Sequence, residues 1–420
     1  RSAVADVNHA SGSIGGECRW ALGEDGFRME LKAGYKHSEI GVIPDDWDAT
    51  TVGREFNVQL GKMLDQEKNI GSLKPYLGNR AVQWGKIDLR ELATMRMSDA
   101  DLERYRLKDG DLLVCEGGDV GRSAIWDSRI DECYYQKALH RLRSINGYDA
   151  HYMLAVLEHW AGHGLLEHFV TQTSIKHLPK EKFIDVPIPL PPIAEQMAIA
   201  SALSDADALM AAQDALIEKK RAIKQGAMQE LLTGKRRLPG FDGDWKVTTL
   251  GELANIKTGS RNNEDKVEDG DYPFFVRSEF IERIDGYSYD CEAILVPGEG
   301  KIGEIFHYVN GRFDVHQRVY AITRFVSDVS GRFVHLYLKM HFGQWAMQNT
   351  VKATVDSLRL PTFQNFVMRL PPTKEEQEAI ARTLSDMEVE IAALEQKREK
   401  TALLKQGMMQ ELLTGKTRLV

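Results

Sequence analysis

Two stretches of the chain carry the hydrophobic spacing of long amphipathic helices. In the second stretch, apolar residues recur alternately every four and three positions, the heptad spacing of a helix that packs against another helix. The first stretch repeats this pattern, with Gln213 in place of its last apolar residue. The positions predicted to form the helix contact are Ile199, Leu203, Ala206, Met210, Ile380, Leu384, Met387, Ile391 and Leu394.

The two stretches are copies of one sequence. Residues 195–235 and 376–416 align without a gap, 181 positions apart, and 23 of their 41 residues are identical. Weaker similarities upstream keep nearly the same spacing, as between DLLVCEGGDVG at 111–121 and AILVPGEGKIG at 293–303. Such an ordered series indicates a tandem duplication, in which each copy holds a variable region followed by a near-constant helix.

Local signals mark where each helix begins and ends. Thr373 and Glu376 have the spacing of a capping box, and Gly234 and Gly415 suit the left-handed position after a helix. Helices of about 40 residues reach about 60 Å, far beyond a typical globular helix. We therefore expect an antiparallel coiled coil that relates the two copies by a pseudo-twofold axis. The alternative is two amphipathic helices, each packed on its own domain.

The chain ends fit a circular arrangement of the repeat. After the first helix the chain continues through RRLPGFDGDWKVTTLG, whereas after the second it stops at TRLV. The segment GVIPDDWDATTVG, which contains residues 43–53, is similar to the missing continuation. We therefore expect Val420 to lie near residues 43–53.

The variable regions alternate short β-type runs with turns rich in Gly, Asn and Asp, interrupted by helical stretches such as 149–168. These patterns predict an α+β fold, with two globular domains of mixed curved sheets joined by the paired helices. The predicted divisions are an N-terminal extension at 1–32, a first variable domain at 33–192, a central helix at 193–236, a second variable domain at 237–372 and a C-terminal helix at 373–420.

Composition is that of an ordinary globular protein, with 43% hydrophobic and 28% charged residues. The sequence has no run of about 18 apolar residues, which is the length that would predict a membrane-spanning helix. The four cysteines have no CxxC spacing, which argues against a zinc ribbon or disulfide scaffold and favours a cytoplasmic location. The net charge of −8 argues against a generally basic nucleic-acid binder, so any contact with DNA must depend on local patches.

Catalytic motifs are missing or incomplete. The sequence GEGKIG at 298–303 matches a dinucleotide-binding pattern, but β-type sequence follows where a helix is required, so we expect a tight turn. An NAD-linked enzyme is the alternative that a helix directly after this turn would support. His159 and His163 have metal-ligand spacing, but Trp160 replaces the glutamate of H-E-x-x-H. The sequence has no Walker A motif, nucleophile elbow or methyltransferase motif, so we expect neither catalysis nor a metal site.

Basic, amide and aromatic side chains are interleaved in both variable regions. Arginine and lysine suit guanine edges and phosphates, while asparagine and glutamine suit adenine. These clusters therefore favour DNA binding over solvated polar loops. The candidate DNA-binding residues are Lys68, Lys74, Tyr76, Asn79, Arg80, Gln83, Trp84, Lys257, Arg261, Asn262, Phe275, Arg277, Ser278, Lys301, His316, Gln317 and Arg318.

The doubled motif EQ-x-AIA-x-x-LS-D…KQG-x-MQELLTGK, each copy behind a Pro-Pro turn and a variable domain, resembles the specificity (S) subunit of type I restriction-modification systems. The similarity extends from about residue 33 to 420 and includes RLKDGDLLV…GDVGR and FDVHQRVY in the variable domains. It implies two target recognition domains, each specific for one half of an asymmetric bipartite DNA site, and helices that set the unread spacer.

The resemblance also implies partners and cofactors. Two methyltransferase subunits, which bind S-adenosylmethionine and methylate adenine, would dock on the helices, and restriction subunits would add ATP- and Mg-dependent cleavage. This chain would bind double-stranded DNA and none of those cofactors, without catalysis of its own. The remaining alternative is a coiled-coil scaffold whose two domains bind proteins or glycans.

Overall fold

The computed structural model describes residues 31–65, 69–172, 176–349 and 357–419. The predicted N-terminal extension at 1–32 lies outside the described residues, except for its last two. The chain divides into two compact units. One comprises the residues up to Ala212 together with those from Glu399 onward, and the other is Gln213–Arg398. Within the described part, no helix is long and apolar enough to cross a membrane.

Short strands and helices alternate in both units, which confirms the predicted α+β class. The strands are β1 (Tyr35–Ser38), β2 (Gly41–Pro44), β3 (Asp48–Thr51), β4 (Phe56–Leu60), β5 (Ser72–Leu77), β6 (Val82–Gln83), β7 (Lys86–Ile87), β8 (Ala93–Met97), β9 (Leu112–Cys115), β10 (Ser123–Ile125), β11 (Tyr134–Tyr135), β12 (Leu139–Ser144), β13 (Thr171–Gln172), β14 (Lys176–His177), β15 (Pro187–Leu190), β16 (Lys246–Thr249), β17 (Asn255–Thr258), β18 (Tyr272–Phe275), β19 (Glu282–Ile284), β20 (Tyr289–Pro297), β21 (His307–Val315), β22 (Val319–Thr323) and β23 (Val367–Leu370). The helices are α1 (Val52–Glu55), α2 (Asp99–Tyr105), α3 (Ala150–Gly162), α4 (Lys180–Phe183), α5 (Ile193–Leu231), α6 (Leu250–Leu253), α7 (Gly331–Gln348), α8 (Leu360–Gln364) and α9 (Lys374–Leu412). Short 3₁₀ segments occupy Asn79–Ala81, Leu165–Phe169 and Asn263–Asp265.

The first unit is built on a four-stranded antiparallel sheet of order β10-β9-β12-β4. Helix α3 covers one face, where Tyr152 and Val156 pack with Leu112 of β9 in one apolar core. Leu113 and Leu139, whose side chains alternate to the opposite face, belong to a second core. A three-stranded sheet, β11-β5-β8, adds a parallel pair between β11 and β5.

The second unit contains a six-stranded sheet of order β17-β22-β20-β21-β18-β19, in which only the β18–β21 pair is parallel. Helix α7 packs Phe333 and Phe342 into one core with Ile294 and Ile322 of the sheet. After GEGKIG the chain makes a turn and enters β21, so the helix that a dinucleotide site requires is absent from this described segment. The NAD alternative is therefore wrong.

The two long helices have 39 residues each and start in the predicted places. Thr373 precedes α9, and its hydroxyl oxygen accepts the backbone N–H of Glu376 at 3.4 Å. The capping-box prediction is only half correct, because the Glu376 carboxylate pairs with Arg237 instead of returning to Thr373. Gly234 and Gly415 adopt left-handed φ values of 74° and 68° just past the helix ends, as predicted.

Each unit contains the early part of one long helix packed against the late part of the other, and the contacts run antiparallel. In the second unit Ala227 and Leu231 of α5 share a core with Ile380 and Leu384 of α9. In the first, Ile199 and Leu203 of α5 share a core with residues of α9 that include Met409 and Leu412. The predicted helix pair is confirmed.

Ion pairs follow the same antiparallel order. In the second unit, Asp214 pairs with Arg398 at 3.0 Å, and Lys224, further along α5, pairs with Glu388, earlier in α9, at 3.1 Å. In the first unit, Lys405 lies 2.8 Å from Asp207. The predicted contact positions Ile199, Leu203, Ile380, Leu384 and Ile391 are buried, while Ala206, Met210, Met387 and Leu394 are half-buried.

The end of α9 lies against the start of the first domain. Arg418 contacts the Asp46 carboxylate at 2.7 Å, and its guanidinium lies 5.7 Å from the Trp47 ring centroid. The hydroxyl of Tyr35 donates to the carbonyl of Gly415 at 3.1 Å. Val420 lies outside the described residues, so its own position stays a prediction, but the segment just before it contacts residues 46–47.

Candidate nucleic-acid interface

Four loops of the second unit meet on one surface. They follow β17, β18, β20 and β21, and backbone hydrogen bonds join them. The N–H of Gln317 donates to the Arg261 carbonyl at 2.8 Å, and the N–H of His316 donates to the Phe275 carbonyl at 3.0 Å. The N–H of Gly298 donates to the Arg318 carbonyl at 2.9 Å. Three sequence-distant predicted segments therefore converge on one surface.

Exposed amide and guanidinium groups lie close together on this surface. Arg277 and Arg318 reach the same carboxylate, that of Glu299, with Nη1–Oε distances of 3.4 and 3.1 Å. The Gln317 amide donates to the side-chain oxygen of Asn262 in a short contact. Both arginine side chains are about half exposed, at 46% and 56%, so they can exchange Glu299 for another acceptor. Guanidinium and amide groups in this setting match the donors and acceptors of base edges.

Three other predicted residues of the second unit make contacts within the chain that hold these loops in place. Phe275, predicted as a DNA contact, is 2% exposed and packs in the core, so its ring does not lie on the surface. His316 is 5% exposed, its Nδ1 accepts the N–H of Arg318 at 3.0 Å, and burial lowers its pKa. Arg261 pairs at 3.0 Å with Asp314, whose side chain is fully buried. These contacts fix the position of the loops.

The remaining predictions in the second unit lie at the margin of the cluster. Lys301 pairs with Glu279 at 2.9 Å, both largely exposed, and Ser278 donates to the Phe280 carbonyl at 2.9 Å. Lys257 is exposed within β17. Sequence reasoning missed Glu299, the shared acceptor, and Phe280, whose side chain is 82% exposed beside Ser278. No spacing pattern marks either residue.

In the first unit the predicted residues are largely occupied by contacts within the chain. The amide of Asn79 donates to the Gly117 carbonyl at 3.0 Å, and Gln83 donates to the Arg80 carbonyl at 2.8 Å. Lys74 pairs with Glu132 at 2.5 Å. These contacts brace the loops. The Arg80 side chain, in contrast, is exposed.

The other predictions of the first unit have different outcomes. Tyr76 is half-buried against a small core that contains Met95 and Met97, and Trp84 is half-buried. Lys68 lies outside the described residues. Glu116, which sequence reasoning missed, is half-buried beside this loop cluster, and burial raises the pKa of its carboxyl while His177 and Lys137 oppose that shift.

Comparison with known proteins identifies the family. The family model for the type I restriction modification DNA specificity domain matches twice, at residues 44–219 and 242–404. The chain belongs to the type I restriction-modification DNA specificity family. Each match covers most of one variable domain and part of the helix that follows it, so the internal duplication is a duplication of this family's domain.

Relatives resemble the chain over nearly its whole length. The MjaX type I restriction enzyme specificity subunit of Methanocaldococcus jannaschii is 25% identical, over 91% of this chain and 96% of the relative. The MjaVIII specificity subunit of the same organism is 23% identical, over 90% and 94%. The fold of this chain is similar to that in the crystal structure of the type I restriction-modification system S subunit from M. genitalium. That match has a TM-score of 0.60 and 16% identity, over 91% of this chain and 98% of that one.

Proposed function

We propose that this chain is the DNA-specificity subunit of a type I restriction-modification complex and that each recognition domain binds one half of a bipartite site. The observation that carries this proposal is the exposed cluster of Arg277, Gln317 and Arg318 on the loops of the second domain. A net charge of −8 is compatible with it, because the contact depends on a local patch. The two domains differ strongly in sequence, so the site is asymmetric.

In this proposal the chain determines which DNA sequence the complex binds and assembles its subunits, and it has no catalytic activity of its own. Two methyltransferase subunits dock on the long helices, bring S-adenosylmethionine and methylate adenine, and restriction subunits bring ATP- and Mg-dependent cleavage. Apolar side chains exposed on the helices support a protein partner: Leu403 and Leu404 are 58% and 64% exposed, and Val389 is 68% exposed. The two relatives from Methanocaldococcus jannaschii, which are named as specificity subunits of type I restriction enzymes, support the same assignment. The proposed location is the cytoplasm, with no membrane partner.

A domain exchange tests the proposal. Residues 43–190 are replaced by the corresponding domain of another family member, and N6-methyladenine is mapped across the genome of cells that carry the chimera. The expected result is a methylated motif in which one half changes and the other half is retained. A protein-binding or glycan-binding scaffold, in contrast, leaves genomic methylation unchanged when it is deleted or exchanged.

A further inference from the structure

One turn of the first domain repeats a turn of the proposed DNA-binding surface of the second domain. The N–H of Leu139 donates to the Gln136 carbonyl at 3.0 Å, which closes the turn between β11 and β12. The N–H of Val319 donates to the His316 carbonyl at 2.9 Å, which closes the turn between β21 and β22. The two turns have the same length and connect corresponding strands.

The surroundings of the two turns also match. In the second domain the N–H of Gln317 donates to the carbonyl of Arg261 at 2.8 Å. In the first, the N–H of Lys137 donates to the carbonyl of Lys62 at 2.9 Å. The residues just before these two donors also form matching contacts. An isolated parallel bridge pairs Gln136 with Lys62, and another pairs His316 with Arg261. Lys137 therefore occupies the position of Gln317.

A third shared bond aligns the neighbouring loops. The N–H of Glu116 donates to the Ala138 carbonyl at 3.0 Å, as the N–H of Gly298 does to the Arg318 carbonyl at 2.9 Å. By this register, Gly117 stands where Glu299 stands in the second domain. The first domain thus lacks, at that position, the carboxylate that holds two arginines in the second.

The two side chains of the first turn differ in exposure: Lys137 is exposed and Gln136 is half-buried. Lys137 forms no salt bridge within the described residues, although the Glu116 carboxyl is near enough for Lys137 to oppose the rise in its pKa. The Gln136 amide lies over Gly78, where its Nε2 is 3.0 Å from the place of an added Cβ. By contrast, Lys62, on the adjacent loop, is largely buried and pairs with Asp101 at 2.9 Å.

We propose that Lys137 and Gln136 contact the DNA half-site of the first domain, with the Lys137 ammonium donating to base acceptors in the major groove. Gln136 is half-buried, whereas its counterpart His316 is 5% exposed, so the Gln136 amide can supply a second contact, to an adenine edge, as glutamine geometry favours. This inference rests on the proposed function and adds residues that the sequence clusters did not contain. It also makes the half-sites chemically different, because lysine replaces glutamine at the same turn position.

The test compares three single variants of the full chain in cells, by genome-wide mapping of N6-methyladenine. Lys137→Gln installs the residue of the second domain, Gln136→Ala removes the amide, and Lys108→Ala is the control. Lys108 is also exposed, but it lies in the turn before β9, at the opposite end of that strand from Glu116. Thermal unfolding of each purified chain establishes that the variants fold.

The expected result is a loss of base preference confined to one half of the methylated motif, on the order of tenfold at the contacted positions. Lys108→Ala retains the wild-type motif. Unchanged preference in both Lys137→Gln and Gln136→Ala would overturn the inference, as would equal relaxation of both halves. The proposed function fails separately, if deletion of the wild-type gene leaves the methylated motifs of the genome unchanged.

Discussion

The guanidinium of Arg418 is bonded to the buried carboxylate of Glu195, with its Nε 2.5 Å from Oε1 and its Nη2 2.8 Å from Oε2. The second unit contains the equivalent pair, Arg237 with Glu376. Arg237 is 181 residues before Arg418, and Glu376 is 181 residues after Glu195. Each arginine lies beyond the end of one long helix and each glutamate in the first turn of the other. The glutamate of the EQ-x-AIA motif, Glu195 or Glu376, is therefore buried, and its ion pair connects the start of one long helix to the segment after the other.

Replacing Arg418 by alanine leaves the Glu195 carboxylate buried, with the Trp47 indole N–H, at 2.8 Å, as its remaining side-chain donor among the described residues. Because an unpaired buried charge is costly, we expect a loss of about 3 kcal/mol in the free energy of unfolding, measured with urea. The matched control is Arg398→Ala, whose pair with Asp214 is exposed and worth at most about 1 kcal/mol. Equal effects of the two variants would contradict this role for the buried pair.

Glycines of the GEGKIG turn differ in what surrounds them, which gives a second prediction. Gly303 has a φ of 71°, and an added Cβ would lie 2.6 Å from the Cα of Gly343 in α7. Gly300 has a φ of 87° but open space around it. Gly303→Ala should destabilise the chain by roughly 3 kcal/mol or more, and Gly300→Ala by about 1 kcal/mol. Thermal unfolding of both variants checks this order, and the reverse order would exclude close packing as the reason for Gly303.

Periodic local signals predicted much of the fold, because they depend on neighbours in the sequence. The heptad positions and the helix-ending glycines are examples. The buried position of Lys405 could not be predicted this way. It lies in the helix contact, where an apolar residue is expected, and its ammonium pairs with Asp207 and with Glu158 of α3, 247 residues away. Only the tertiary structure brings these carboxylates to it.

Composition could not show which of the predicted DNA-binding residues face solvent, for a physical reason. A sequence cluster does not reveal which face of the sheet a side chain occupies or which partner it has. Phe274 and Phe275 are both buried because separate cores cover the two faces of β18. Asn79 and Arg261 have the predicted chemistry but are held by contacts within the chain.

Buried histidines make the stability of the chain depend on pH. The imidazole of His140 donates from Nε2 to the Leu178 carbonyl at 2.8 Å, and burial lowers its pKa to about 4. The unfolded chain therefore binds a proton first as the pH falls below about 6.5, and the stabilisation present above that pH is lost toward pH 4. His335 has its pKa lowered to about 4 for the same reason.

His140→Asn should reduce this acid sensitivity. Between pH 7.5 and 5 we expect the wild type to lose about 2 kcal/mol more unfolding free energy than the variant, since the variant lacks one of the protons taken up on unfolding. Urea unfolding at both pH values measures the difference. His37→Asn, at an exposed position, should retain the wild-type pH dependence. A His140→Asn curve parallel to the wild type would show that His140 does not contribute.

Variants of the second domain's surface test its contacts with bases. Arg277→Ala and Gln317→Ala should each weaken binding to the second half-site by about 1–3 kcal/mol if they contact base edges. Glu299→Gln should have the opposite sign, because it removes the carboxylate that competes with DNA for Arg277 and Arg318. Duplex binding by the complex with its methyltransferase, measured at two salt concentrations, provides the readout. Wild-type affinity in both alanine variants would show that Arg277 and Gln317 do not contribute to DNA binding.

The length of the paired helices gives the last prediction, which concerns the unread spacer. Inserting one heptad into each helix beside the Asp214–Arg398 pair preserves the alternating four- and three-residue contact spacing. Each helix lengthens by about 10 Å, which corresponds to about three base pairs at 3.4 Å per step. We expect the methylated half-sites to move apart by about that number, with both half-site sequences unchanged. A heptad inserted at the exposed loop residue Gly147, where nothing lies within 4 Å of an added Cβ, should leave the spacing as it is. Methylation at the original spacing by the helix variant would mean that the helices hold the methyltransferase subunits without setting the distance between the half-sites.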